Sequence, residues 1–91
     1  MPSIALVVNH PAGLHARPAA LFVKTAKSFP CTITVRNVTT GKAAVNAKSI
    51  LSVITQAVNQ GYQIELEAQG EDAEAALQAL KELIEGDFGE E

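Results

Sequence analysis

A histidine directly precedes a predicted helix in the stretch Gly13-Leu14-His15-Ala16-Arg17-Pro18-Ala19. Proline is tolerated in the first helical turn, because the amide that it lacks would have no intrahelical partner there. We therefore expect His15 at a helix N-terminus, among backbone amides that have no acceptor within the helix. Such a terminus binds phosphate, and the guanidinium of Arg17 suits phosphate oxygens. The pattern predicts phosphoryl chemistry at His15, with the backbone amides of Ala16 and Arg17 cradling the phosphoryl group.

The imidazole of His15 has the properties that a phosphoryl carrier needs. Neutral imidazole is a good nucleophile near pH 7, and its phosphoramidate remains reactive towards another histidine. A helix N-terminus disfavours the imidazolium form, which helps to keep the ring nucleophilic. A group attached to Nδ1, the nitrogen nearer the backbone, can fold back over the amides of Ala16 and Arg17, whereas one on Nε2 points away. This chemistry requires no metal or other cofactor.

The histidines also allow a purely structural interpretation. A lone histidine would more often be a capping or surface residue, but the Arg17-Pro18 context of His15 favours chemistry. His10 has no arginine and no helix start after it. We therefore predict that His10 is a loop residue near the site.

Length and composition predict a single small domain. The chain has 91 residues, of which 47% are hydrophobic, so residues 1–91 suit one compact domain with a modest core. No apolar run approaches the ~20 residues of a membrane span, and the start lacks a secretory pattern. One cysteine and two histidines exclude an internal disulfide and make a poor metal-ligand set. We expect a cytoplasmic protein with no membrane partner.

The charges are divided sharply along the chain. Residues 1–64 contain no acid and six of the seven basic residues, whereas residues 65–91 contain all ten acids. The two parts carry +6 and −9, which together make the net charge of −3. Because His15 belongs to the basic part, its surroundings should attract anions and acidic partners. The alternative is that this patterning serves only solubility.

Hydrophobic periodicity predicts the element order β-α-β-β-α-β-α. The expected strands cover residues 3–8, 31–38, 43–46 and 62–68, with a turn at 39–42. The expected helices cover 16–28, a segment from a Ser49 cap to a stop at Gly61, and 71–85. Residues 87–91 are predicted to be a frayed tail. This order predicts an α+β fold with three helices on one face of a largely antiparallel sheet.

Two sets of residues are candidates for docking a partner. The outward stripe of the first helix combines cations with an expected exposed leucine, which is typical of a face that binds an acidic protein. This set comprises Ala20, Leu21, Lys24 and Lys27. The second set is an apolar surface at the start of the second helix, formed by Ile50, Leu51 and Ile54.

The segments Gly13–Ala20 and Asn46-Ala47-Lys48-Ser49-Ile50 together resemble the HPr family, the histidine-containing phosphocarriers of the bacterial phosphoenolpyruvate-dependent phosphotransferase system. The element order also agrees. The resemblance implies an open-faced β-sandwich with strand order 1-4-2-3, and a carrier rather than an enzyme. Nothing in the sequence demands more than a monomer that docks transiently. It implies that His15 accepts a phosphoryl group on Nδ1 from enzyme I and passes it to EIIA-type domains. Arg17 would stabilise that group.

Ser49 has two interpretations that the sequence leaves open. The resemblance implies that it corresponds to the regulatory serine that HPr kinase/phosphorylase modifies in some bacteria. Its position before Ser-Ile-Leu is equally explained by a role as helix N-cap. The chain also departs from the family pattern: Ala12 stands where Ser or Asn is frequent, Ser52 replaces a common Gly or Lys, and the hairpin at 38–41 is longer.

Two other functions deserve comparison. A carrier in a nitrogen-regulatory or other paralogous phosphorelay would use the same site residues with different partners, and the sequence does not separate it from a sugar-system carrier. A ferredoxin-like ligand or RNA-binding module shares part of the element order. However, aromatic residues make up only 4% of the chain, and no strand interleaves them with basic residues. We therefore expect no nucleic-acid partner.

Overall fold

The structure is a computed structural model that describes residues 2–89. Its strands are β1 (Ser3–Val7), β2 (Thr32–Asn37), β3 (Val45–Asn46) and β4 (Gln63–Gln69). Its helices are α1 (Ala16–Lys27), α2 (Ile50–Thr55) and α3 (Ala73–Glu85), and a 3₁₀ turn follows at Asp87–Gly89. The predicted element order is confirmed, with the 3₁₀ turn as an addition. Within residues 2–89, no helix is long and apolar enough to cross a membrane.

The four strands form one antiparallel sheet in the order β1-β4-β2-β3, as predicted. Side chains alternate across it, so that every second residue points to the helices. In the central strands, Ile33 and Val35 of β2 and Ile64 and Leu66 of β4 are fully buried. The opposite face of the sheet is open to solvent, and there Arg36 of β2 forms a salt bridge with Glu65 of β4 at 2.9 Å. The molecule is thus an open-faced sandwich.

The helices cover the inner face because each has one apolar stripe. In α1 the predicted stripe is buried and comprises Ala19, Phe22, Val23 and Ala26. In α3 the predicted stripe is also buried and comprises Ala73, Ala76, Leu77, Leu80 and Ile84. Helix α1 lies between α2 and α3 and contacts both. This arrangement places the N-terminus of α1 at one end of the helical layer.

Helix α2 ends at Thr55, six residues before Gly61, so the predicted stop is wrong. The cause is the side chain of Gln56, which is buried and accepts a hydrogen bond from the amide of Asn37 at 2.7 Å. Its Nε2 also donates to the carbonyl of Ala43 at 3.0 Å. Ala57 then takes a φ of +53°, which turns the backbone out of the helix. Because α2 ends early, the residues before β4 form a loop, and Val58 of this loop is buried.

The C-terminal segment is not a frayed tail over its described part. Residues Asp87–Gly89 form the 3₁₀ turn, and Phe88 is buried in the core. The amide of Gly89 closes this turn by donating to the carbonyl of Gly86 at 3.0 Å. The apolar ring of Phe88 explains why the chain folds back rather than extending into water. Residues 90 and 91 of the predicted tail lie outside the described residues.

Other predicted boundaries shift by one or two residues. Strand β3 begins at Val45 rather than residue 43, since the Ala43 carbonyl bonds Gln56 instead of a strand. Helix α1 ends one residue early because the Ser28 amide and hydroxyl both donate to the Thr25 carbonyl. Helix α3 begins two residues late because its N-cap, Asp72, has a left-handed φ of +62°.

Candidate functional site

His15 is the N-cap residue of α1, as the sequence predicted. Its backbone is extended, with φ −126° and ψ 160°, and its side chain makes no capping hydrogen bond. The carbonyl of His15 accepts the first helical bond, a long one of 3.5 Å from the amide of Ala19. Pro18 has no amide to donate. The N–H groups that precede Ala19 in this turn are therefore those of Ala16 and Arg17.

Ala16 has an unusual backbone conformation, with a φ of +49°. The left-handed region costs a residue with a Cβ roughly 1 kcal/mol. Such strain persists only where surrounding contacts hold the chain. The backbone just before Ala16 is held in this way by the loop that follows α2.

Gly13 lets two loops approach each other closely. The amide of Leu14 donates to the carbonyl of Val58 at 2.9 Å, and Leu14 is fully buried. Gly13 has a φ of +63°, and a Cβ at this residue would lie 2.2 Å from the carbonyl oxygen of Val58. Nothing in the local sequence indicated this close approach to Val58. Gly13 thus joins the His15 loop to the loop after α2.

Further hydrogen bonds connect these two loops along their length. Val8 donates to the carbonyl of Tyr62 at 2.9 Å, and Gly61 donates to the carbonyl of Val8 at 2.7 Å. The side chain of Gln60 donates to the carbonyl of Asn9 at 3.0 Å. The segment 8–15 is therefore supported by the segment 56–62 through backbone and side-chain bonds. His15 lies at the end of the first of these two hydrogen-bonded segments.

The imidazole of His15 is half-buried, and its Nε2 lies 3.1 Å from Oδ1 of Asn59. Nothing in the sequence singled out Asn59, which is 44 residues away along the chain. Only the pairing of the two loops brings it to the ring. The contact uses Nε2 and leaves Nδ1, the predicted nucleophile, on the other side of the ring.

Arg17 is exposed in the first turn of α1, two residues after His15. The structure therefore places both predicted catalytic residues at the same helix terminus. Helix α1 has no acidic residue in its first turn. An anion that approaches this terminus meets amide dipoles and the guanidinium of Arg17.

His10 is a loop residue beside the site, as predicted. Its Nδ1 accepts a hydrogen bond from the amide of Ala12 at 3.0 Å. Its ring meets Phe88 edge-on, with centroids 5.7 Å apart and planes at 82°. His10 thus connects the loop before α1 to the C-terminal turn, and its Nδ1 is engaged with the backbone rather than available as a nucleophile.

The predicted docking residues form two surfaces on neighbouring helices. On α1, Ala20, Lys24 and Lys27 are exposed, but Leu21 is half-buried and packs on the core. The prediction of an exposed leucine is therefore wrong, because the core extends around the side of α1. On α2, Leu51 is 75% exposed, and Ile50 and Ile54 are also exposed, at 42% and 39%. The α2 surface is the more apolar of the two.

Ser49 is the N-cap of α2, and its Oγ accepts a hydrogen bond from the amide of Ser52 at 3.3 Å. The capping interpretation of Ser49 is thus confirmed. The residue is only half-buried and directly precedes the apolar α2 surface. In residues 2–89, no group of three or more His, Cys, Asp or Glu side chains could hold a metal ion.

Comparison with known proteins agrees with this geometry. The family profile described as "PTS HPr component phosphorylation site" matches residues 2–86, which include His15 and Arg17. The chain belongs to the HPr family. The resemblance that the motifs around His15 and Ser49 indicated is therefore confirmed.

Relatives of known name extend this result. The chain is 40% identical over 91 residues to the phosphocarrier protein HPr of Pseudomonas aeruginosa, covering 99% of this chain and 98% of the relative. It is 44% identical over 89 residues to the multiphosphoryl transfer protein of Salmonella typhimurium, covering 97% of this chain. The chain spans only 23% of that longer relative.

Solved HPr structures share the fold. The crystal structure of HPr-C-His from Thermoanaerobacter tengcongensis superposes with a TM-score of 0.94 at 45% identity, and the match covers 100% of this chain and 99% of that one. The open-faced sandwich is thus the fold of this HPr chain and of its structural relative.

Proposed function

We propose that His15 accepts a phosphoryl group on Nδ1 from enzyme I, which phosphoenolpyruvate charges, and passes it to EIIA-type domains. The observation that supports this most is the position of His15 as the N-cap of α1 without a side-chain cap of its own. The imidazole therefore lies beside the backbone amides of the first helical turn and forms no capping hydrogen bond with them. In this proposal the chain is a carrier that is modified and regenerated, and not an enzyme.

The amides of Ala16 and Arg17 would bind the phosphoryl oxygens. Hydrogen bonds to a charged group contribute about 1.5–3 kcal/mol each. Phosphoryl transfer creates little new covalent structure in the protein, so positioning and charge stabilisation carry most of the catalysis. A group on Nδ1 lies close to the helix terminus, and the N-terminal end of the helix dipole stabilises its negative charge.

Docking would use the α1 surface of Ala20, Leu21, Lys24 and Lys27 together with the α2 surface of Ile50, Leu51 and Ile54. Helices α1 and α2 contain no Asp or Glu. Apolar area that is ringed by cations suits a partner with an apolar contact patch and acidic rim. We propose that the chain docks as a monomer in the cytoplasm and that enzyme I and EIIA-type domains use overlapping parts of this face.

The direct test is phosphotransfer from enzyme I and labelled phosphoenolpyruvate. The proposed function requires label on the chain that is acid-labile and base-stable, since that stability distinguishes phosphohistidine from phosphoserine. Adding a purified EIIA-type domain should then move the label to that domain. A wild-type chain that takes up no label from a competent enzyme I would contradict the proposal.

Arg17→Ala is expected to slow phosphotransfer roughly tenfold to a hundredfold, because one charge-assisted contact to the phosphoryl group is lost. The fold should remain, since Arg17 is exposed. Initial rates of labelling measure the effect, and circular dichroism checks the fold. Arg36→Ala is the matched control, because Arg36 pairs with Glu65 on the open face of the sheet. Equal rates for Arg17→Ala and Arg36→Ala would remove the role of Arg17.

We also propose that Ser49 is a regulatory phosphorylation site. Phosphorylation would place about −2 charge beside the apolar α2 surface and near the cations of α1. We expect a cognate HPr kinase with ATP to add one phosphoryl group, and the modified chain to accept label from enzyme I roughly tenfold more slowly, equal to about 1.4 kcal/mol of docking energy.

Mass spectrometry and labelling rates measure these two effects. Ser49→Ala should stay unmodified, whereas Ser52→Ala, which removes the neighbouring hydroxyl in the same turn, should still be modified. An unmodified wild-type chain would rule out the regulatory role.

A further inference from the structure

We propose that Asn59 is a positioning residue for His15. Its side-chain oxygen holds the proton on Nε2 and thereby presents the lone pair of Nδ1 to the phosphoryl group. This inference rests on the proposed function, and it explains how the ring is prepared before any donor binds. It also assigns a role to a residue that the sequence motifs do not include.

The geometry of the contact decides which nitrogen carries the proton. Oδ1 of Asn59 lies 3.1 Å from Nε2 of His15. A carbonyl oxygen can only accept, so this contact is a hydrogen bond in the tautomer whose Nε2 carries the hydrogen and donates. In a neutral imidazole the other nitrogen then has a free lone pair. The contact therefore selects the tautomer in which Nδ1 is the nucleophile.

The position of Asn59 is set by the paired loops. Its carbonyl accepts from the amide of Tyr62 at 3.1 Å, which closes the turn before β4. Its Cα would lie 2.9 Å from a Cβ on Gly13, so its backbone packs against the loop that leads to His15. The neighbouring hydrogen bond of 2.9 Å from the Leu14 amide to the Val58 carbonyl holds the same two loops together. Asn59 is held by backbone contacts, and its side chain is left to orient the ring.

The same hydrogen bond strengthens during transfer. The Nδ1 lone pair forms a bond to phosphorus while the bond from phosphorus to the donor's leaving atom breaks, and that electron pair stays with the donor atom. The Nε2 proton remains on a ring that has become cationic. A charged donor makes a stronger hydrogen bond than a neutral one. Asn59 therefore stabilises the transition state more than the ground state, which is the condition for accelerating the step.

The return step uses the same proton. When an acceptor nucleophile attacks phosphorus, the Nδ1–P bond breaks and its electron pair returns to Nδ1. The ring leaves as neutral imidazole with the proton still on Nε2. No further proton donor or co-reactant is needed. One side chain thus supports both phosphorylation and release.

The test measures the tautomer of His15 directly, without a phosphoryl donor. Long-range ¹⁵N–¹H NMR of the imidazole distinguishes Nδ1–H from Nε2–H, at a pH where the ring is neutral. The wild-type chain should be predominantly Nε2–H. In Asn59→Ala the ratio of Nδ1–H to Nε2–H should rise roughly fivefold, the value of one net hydrogen bond.

Two variants separate this role from a structural one. Asn59→Asp keeps the accepting oxygen and should keep the wild-type tautomer. Gln60→Ala removes the neighbouring side-chain bond to Asn9 and should leave the tautomer unchanged. The initial rate of phosphorylation should fall roughly fivefold in Asn59→Ala and stay at the wild-type value in Gln60→Ala.

The outcomes distinguish this inference from the proposed function. An unchanged tautomer ratio in Asn59→Ala, or a wild-type ring with Nδ1–H, would overturn the role of Asn59 even if phosphotransfer proceeds normally. A wild-type chain that is not phosphorylated by enzyme I would overturn the proposed function, whereas the NMR result would still report the contact.

Discussion

Replacing His15 with alanine is expected to abolish phosphoryl transfer to the chain. The substitution removes the imidazole that lies at the N-terminus of α1, two residues before Arg17. Labelling from enzyme I and phosphoenolpyruvate should fall to background, since the Nδ1 of the other histidine, His10, is engaged with the Ala12 amide. The fold should survive, because the ring is half-buried and does not cap the helix.

His10→Ala is the matched control for this experiment. It removes the other histidine, whose Nδ1 accepts the amide of Ala12 and whose ring contacts Phe88. This variant should lose a modest amount of stability and keep its acid-labile label. Label that persists in His15→Ala, or that disappears only in His10→Ala, would show that the phosphoryl acceptor has been assigned to the wrong residue.

Gly13→Ala is expected to destabilise the fold by about 3 kcal/mol. A left-handed φ costs a residue with a Cβ roughly 1 kcal/mol, and forcing an atom into a packed site typically costs 1–3 kcal/mol more. The new Cβ would lie 2.2 Å from the carbonyl oxygen of Val58, so the two loops must separate. For a domain of this size, the midpoint of thermal unfolding should fall by roughly 15 °C. Phosphotransfer should slow as well, because His15 and Asn59 stand on opposite loops.

Gly41→Ala isolates the cost of the close approach. Gly41 also has a positive φ, +74°, but a Cβ there would meet no atom within 4 Å. The free energy of unfolding of Gly41→Ala should therefore fall only by the cost of a left-handed φ, roughly 1 kcal/mol. The variant should keep full phosphotransfer activity. Thermal and urea unfolding of both variants measure the difference. Equal losses of stability would mean that the contact between Gly13 and Val58 does not hold the loops together.

The sequence by itself predicted the order of the elements and the position of His15 and Arg17 at a helix N-terminus. Apolar residues such as Phe22 in α1 and Leu80 in α3 recur with helical spacing, and this periodicity reports which face is buried. Pro18 and the residues around it predict a helix start by local rules. His15 could be placed at that terminus because the residues that favour a helix start, such as Pro18, lie within the first helical turn. The strand order followed from the resemblance to the HPr family.

Other features could not be predicted because they depend on contacts between distant segments. The early end of α2 is caused by Gln56 bonding Asn37 and Ala43, residues of the preceding hairpin. Phe88 turns the C-terminal segment back because a core position is open to it beside His10. Neither effect changes local periodicity, so neither leaves a signal in a single sequence.

The site divides in the same way. The residue types and spacing of His15, Arg17 and Pro18 led to the proposed phosphoryl chemistry and predicted the helix terminus at which it would occur. Only the tertiary structure decided which nitrogen of His15 is turned towards Asn59, because two loops must pair across Gly13 before the ring meets its partner. A nucleophile can be encoded locally, whereas its orientation requires a hydrogen-bond acceptor from elsewhere in the fold.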